Sequence, residues 1–123
     1  MEQPVTRPDR GVVLGKSVAR ASAALGINGV VLARTLGVSE PTITRVLREE
    51  RPISPDTKEG ELALLLIRIY RSLDALVGTD DGVRKAWMTG YNRALGGPPI
   101  EVIQRADGLV NTVNYLDGMR APA

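Results

Sequence analysis

The run KEGELALLLIRIYRSLDALVG, Lys58 to Gly78, leaves this chain little choice of fold. Leu62, Leu66, Ile69, Leu73 and Leu76 recur at alternating steps of four and three, the spacing of a packed helical seam. Leu64, Leu65, Ile67, Tyr70 and Val77 spread apolar surface beyond that seam. A helix so apolar around its circumference must be covered on more than one side. In a chain of 123 residues, a second copy is a ready cover, and the five seam residues are read as a dimerisation surface. The alternative is a central core helix enclosed by its own subunit.

The flanking sequence is helical too. Leu14, Val18, Ala21 and Leu25 recur at helical steps before Gly26. Asn28 is placed to cap a short helix carrying Val31, Leu32 and Leu36, and Ser39 another carrying Ile43, Val46 and Leu47 and running to about Glu50. Beyond the long run, Asp80 or Asp81 opens a helix with Val83, Ala86 and Trp87 facing inward. Gly96 and Gly97 break the chain, and Pro98 and Pro99 restart it. The segment IEVIQRA predicts a short helix stopped near Asp107–Gly108. A last helix carries Leu109, Val113 and Leu116 and ends at Gly118, leaving MRAPA as a tail. No strand-period alternation is present, so the expected fold is all-α. The expected divisions are a loose arm over 1–11, a helix-turn-helix over 12–50, a linker over 51–57 and a dimerisation and partner-binding domain over 58–123.

The chain has no cysteine and no histidine. That removes zinc fingers, disulfides, thiol nucleophiles and imidazole acid–base chemistry. The carboxylate pairs Glu59 with Glu61 and Asp80 with Asp81 sit where acidic residues stabilise the positive end of a helix. We expect neither an enzyme nor a cofactor. No apolar run reaches transmembrane length, and MEQPVTRPDRG lacks a signal-peptide core. We therefore expect a cytoplasmic protein with no membrane partner.

Charge divides the chain. Residues 1–55 hold eight Lys/Arg against five Asp/Glu, and residues 56–123 hold eight against nine. A basic front half suits a polyanion. Within it, Gly29–Glu49 has the parts of a helix-turn-helix: Ala33 small at the crossing, Gly37 four residues later at the turn, and Leu32, Val38, Ile43 and Val46 to pin both helices. The second helix starts at a Ser cap, so its positive end suits a phosphate or entry into a major groove. The residues expected to face DNA are Ser39, Glu40, Pro41, Thr42, Thr44, Arg45 and Arg48. Arg45 and Arg48 lie one turn apart and can reach base edges or phosphates. Glu49 and Glu50 weaken the positive field, so affinity is expected from a dimer. This half resembles the Xre/Cro-like repressor domains through general helix-turn-helix features.

The rear half carries a second resemblance. Trp87, Asn92 five residues on, ALGG at 94–97, Pro99-Ile100-Glu101, Ile103, Gly108, Val113 and Leu116 occur in an order similar to the toxin-binding domain of the Xre/MbcA/ParS antitoxins. The match spans Leu62 to Asp117, with departures at Pro98 and at Gly90-Tyr91. The resemblance implies a RES-domain toxin as partner, one that degrades NAD⁺ or transfers ADP-ribose. It also implies that the antitoxin blocks the NAD⁺ pocket and that a homodimer represses its own operon by binding operator DNA. Trp87 would be buried, with Asn92 and Arg93 near the contact. Position and chemistry single out Asn111, Asn114, Met119, Arg120 and the terminal carboxylate of Ala123 for the occluding step. The competing reading is a stand-alone dimeric helix-turn-helix repressor whose rear half only dimerises.

Overall fold

A computed structural model of the chain describes residues 9–120. They form seven helices and no β-strand: α1 (Arg10–Leu25), α2 (Gly29–Leu36), α3 (Glu40–Leu47), α4 (Lys58–Val77), α5 (Asp81–Thr89), α6 (Pro99–Val102) and α7 (Ala106–Arg120). The all-α expectation holds. Helix α1 begins because the Asp9 carboxylate accepts from the Gly11 and Val12 N–H groups, at 2.8 and 3.3 Å. Leu14, Val18, Ala21 and Leu25 all face the core, as their spacing requires. Arg10 and Gly11 are therefore the first turn of a helix and not part of an arm. Residues Met1–Pro8 lie outside the described residues.

Helix α4 is the axis of the molecule and packs against α1, α2, α5 and α7. Leu66, Ile69 and Leu73 are each 0% exposed within the single chain. This corrects the seam: those three residues are enclosed by their own subunit and are closed to a second copy. Of the five, Leu62 is half-buried and Leu76 is exposed at the far end. The stretch Arg51–Thr57 is not a free tether either. Ile53 is buried, and its N–H donates to the Gly11 carbonyl at 3.1 Å.

The rear helices depart from the expected registers for identifiable reasons. In α5 the inward positions are Arg84 and Met88, while Val83 is exposed and Trp87 only half-buried. Sequence periodicity selects the apolar residues, but the core-facing row holds an arginine. Arg84, 4% exposed, pairs with Asp74 of α4 and Asp81 of α5. In α3, Leu47 is exposed where an inward residue was expected, because the helix ends there and the chain turns away.

Asp107 and Gly108 do not stop a helix; they lie in the first turn of α7. Gly108 is required by close approach: a Cβ there would lie 2.0 Å from the Val102 carbonyl oxygen. Gly118 does not end α7, which runs on to Arg120 and carries Met119 with it.

Candidate functional site

The front surface is built by α2, α3 and the turn between them. Asn28 caps α2 by accepting from the Val31 N–H at 2.9 Å. Gly37 ends α2 with φ 70, a left-handed conformation that a side chain would strain. There the Val38 N–H returns to the Ala33 carbonyl at 3.0 Å. Ser39 then caps α3, its hydroxyl accepting from the Thr42 N–H at 3.3 Å and donating to the Thr42 hydroxyl at 2.9 Å.

Ile43 and Val46 hold the inner side of α3 in the core. The opposite side therefore points out. Ser39, Glu40, Pro41, Thr44, Arg45 and Arg48 are exposed and Thr42 is half-buried. The Thr44 hydroxyl donates to the Glu40 carbonyl at 3.1 Å, so it has only acceptor capacity left for a ligand. Arg45 and Arg48 make no ion pair among the described residues. Arg45 lies in the last turn of α3 and Arg48 caps its end, and these two unpaired guanidiniums form a surface complementary to a phosphate backbone or to guanine edges.

Arg34 was not among the expected residues. It is exposed on α2, and its Nη1 donates to Gln104 Oε1 at 3.4 Å. Its charge was visible in the sequence, but the pairing spans 70 residues, which no local pattern reveals.

The rear surface centres on the corner that joins α5 to α6. The Asn92 N–H donates to the Gly97 carbonyl at 3.1 Å, and the Asn92 carbonyl accepts from Gly96 and Gly97 at 2.9 and 3.2 Å. The Asn92 side-chain oxygen accepts from the Leu95 N–H at 3.1 Å. Asn92 thus builds the corner, and its amide oxygen is already engaged. Tyr91 and Arg93 beside it are exposed.

Pro99 opens α6, and Gly108 brings α7 against the end of that helix. Leu95, Gly96, Val102, Gly108 and Asn111 come together around a groove of about 340 Å³. Arg105 and Asp107 lie on its rim. A hydrogen bond from Arg105, aided by the Gly108 N–H, holds the Asp107 carboxyl below its ordinary value.

The structure divides the proposed occluding residues. Asp107, Asn111, Asn114 and Gly118 fall along one stripe of α7 at about 100° per residue, and all four are exposed. Met119 is 57% exposed on an adjoining side. Arg120 continues the inward row of Leu109, Val113 and Leu116, and its Nη1 donates to the buried Ser72 hydroxyl at 3.1 Å. Arg120 therefore fastens α7 to α4 and does not project with Asn111. Ala123 lies outside the described residues.

Two family models account for nearly the whole chain. Residues 4–68 match the antitoxin Xre-like helix-turn-helix domain. Residues 72–121 match the antitoxin Xre/MbcA/ParS C-terminal toxin-binding domain. No curated protein matches the chain closely enough to serve as a relative. Among the described residues, no helix is long and apolar enough to cross a membrane. With its front half matched as the helix-turn-helix domain and its rear half as the toxin-binding domain, the chain belongs to the Xre-like antitoxins of toxin–antitoxin systems.

Proposed function

We propose that this antitoxin neutralises a RES-domain toxin, one that degrades NAD⁺ or transfers ADP-ribose, by occluding its active site. In the same reading, a homodimer of the antitoxin binds a palindromic operator and represses its own operon in the cytoplasm. The observation that carries the toxin half is the groove at the rear corner. It gathers Leu95 and Gly96 of the corner with Gly108 and Asn111 of α7 around a turn braced by Asn92. Tyr91 and Arg93 of the corner and Asn114 and Met119 of α7 are exposed. Aromatic, Arg and Met side chains on a rigid base are the composition of protein-binding surfaces.

Contact through this corner and the outer stripe of α7 is the form of occlusion that the geometry favours. Arg120, tied to Ser72, supports that stripe from behind. Asn111→Trp fills the groove from an exposed helix position. It should abolish protection when co-expressed with the toxin in a growth assay, whereas Arg120→Gln should weaken protection only in step with lost stability. Cells protected fully by Asn111→Trp would contradict the groove as the contact.

A further inference from the structure

The outward face of α3 divides its hydrogen-bonding capacity between two flanks. Glu40 and Thr44 lie one turn apart, about 40° from each other around the helix, and both are exposed. The Thr44 hydroxyl proton is committed to the Glu40 carbonyl at 3.1 Å. This flank therefore offers acceptors only, the Thr44 hydroxyl oxygen and the Glu40 carboxylate. Arg45 stands about 140° around from Glu40 and about 7.5 Å further along the axis, and with Arg48 it offers donors only. Glu40 makes no ion pair among the described residues, so neither arginine neutralises it.

Glu40 sits in the first turn of α3, the positive end where a phosphate would otherwise gain most. A free carboxylate on a surface that meets a polyanion is repelled by every phosphate it approaches. Duplex DNA compensates it in one place, at the base amino groups that are the donors of the major groove. Adenine N6 stands beside the N7 acceptor of its own ring, whereas the N4 amino group is the one polar group that cytosine presents there. Guanine and thymine turn acceptors toward the carboxylate. The acid is matched to cytosine and mismatched to the other three bases.

We propose that Glu40 selects a cytosine in the operator by accepting a hydrogen bond from its N4 amino group. The inference rests on the operator-binding reading above and names the base read at the start of α3. The turn that carries the carboxylate is braced. Ser39 bonds the Thr42 N–H and hydroxyl at 3.3 and 2.9 Å, and Pro41 fixes the backbone beside Glu40. The carboxylate is thus presented from a helix start that is ordered without DNA, on the flank away from Arg45.

The probe is a pool of randomised duplex DNA, from which the full-length protein and its Glu40→Ala and Glu40→Gln variants each select binding sites. Fluorescence anisotropy then measures binding to each selected duplex and to its single-base replacements, with circular dichroism to confirm that the variants are folded. The wild-type sites should hold a cytosine at one fixed position of each half-site, and replacing it should weaken wild-type binding about 10- to 100-fold. The same replacement should change binding by Glu40→Ala less than about threefold, with the preferences at other positions kept. Glu40→Gln should select adenine at that position, because a carboxamide pairs with N6 and N7 together. A Glu40→Ala variant that keeps every base preference of the wild type overturns the assignment. A uniform gain in its affinity on all sequences, with preferences unchanged, also overturns it and shows that the carboxylate only repels phosphates. A wild type that enriches no sequence overturns the operator reading together with this one. None of these measurements involves the toxin, so toxin neutralisation is tested separately.

Discussion

The guanidinium of Arg84 lies 5.6 Å from the ring centroid of Tyr70, joining α5 to α4 through a cation–π contact. Asp74, Asp81 and the Gly78 carbonyl complete the enclosure. Burial, the largest influence, would lower the pKa of Arg84; the hydrogen bond it donates to Asp81 and the charge of Asp74 outweigh it, and the net shift is upward. Arg84→Met should lower the melting temperature by about 5–10 °C, because two carboxylates are left facing each other without their cation. Thermal unfolding by circular dichroism checks this. A melting point unchanged or raised would show that the arginine only fills space.

Arg84 also marks where the sequence could be read and where it could not. The inward rows of α1 and α7 follow plain apolar periodicity, and Leu14, Val18, Leu109, Val113 and Leu116 are buried as their spacing predicts. In α5 the same rule selects Val83 and Trp87 and misses Arg84, because the buried charge depends on Asp74 and Tyr70 of another helix as well as on the local Asp81. The α4 seam differs from its expected role for a related reason. Periodicity identifies a buried stripe but not whose side chains cover it. At the rear corner, Asn92 and the glycines were visible as a turn. The groove they make with Asn111 depends on the packing of α7 beneath α6, which has no local signature.

On the DNA surface, Arg45→Ala and Arg48→Ala should each weaken operator binding by about 1–3 kcal/mol if the side chains reach guanines. If they reach phosphates alone, binding should fall equally on any sequence and the salt dependence should become shallower. Gel shifts at several salt concentrations separate these cases. Unchanged binding in both variants would remove α3 from the groove.

Glu49 follows α3 with φ 62, the one non-glycine residue at positive φ among the described residues. Its N–H returns to Val46 at 3.0 Å and the Glu50 N–H to Arg45 at 2.9 Å, the paired bonds of a helix end that favours glycine. Glu49→Gly should stabilise the protein by about 1 kcal/mol or less, the relief of left-handed strain outweighing the added backbone freedom of glycine, and should raise the urea midpoint. A lower midpoint would show that the Glu49 side chain contributes more than its strained backbone costs.

Gly108→Ala places a methyl group 2.0 Å from the Val102 carbonyl oxygen and must push α7 away from α6. A loss of about 2–3 kcal/mol in urea unfolding is expected, together with weaker toxin binding as the groove deforms. Wild-type stability in this variant would contradict the close packing of α7 on the end of α6.

The central claim is that the rear half of this antitoxin blocks a toxin's active site. NAD⁺ turnover by the proposed RES-domain partner, titrated with the purified full-length protein, tests it most directly. Turnover should fall in proportion to added antitoxin and vanish at a fixed stoichiometry. Undiminished turnover with the antitoxin in molar excess would contradict the account.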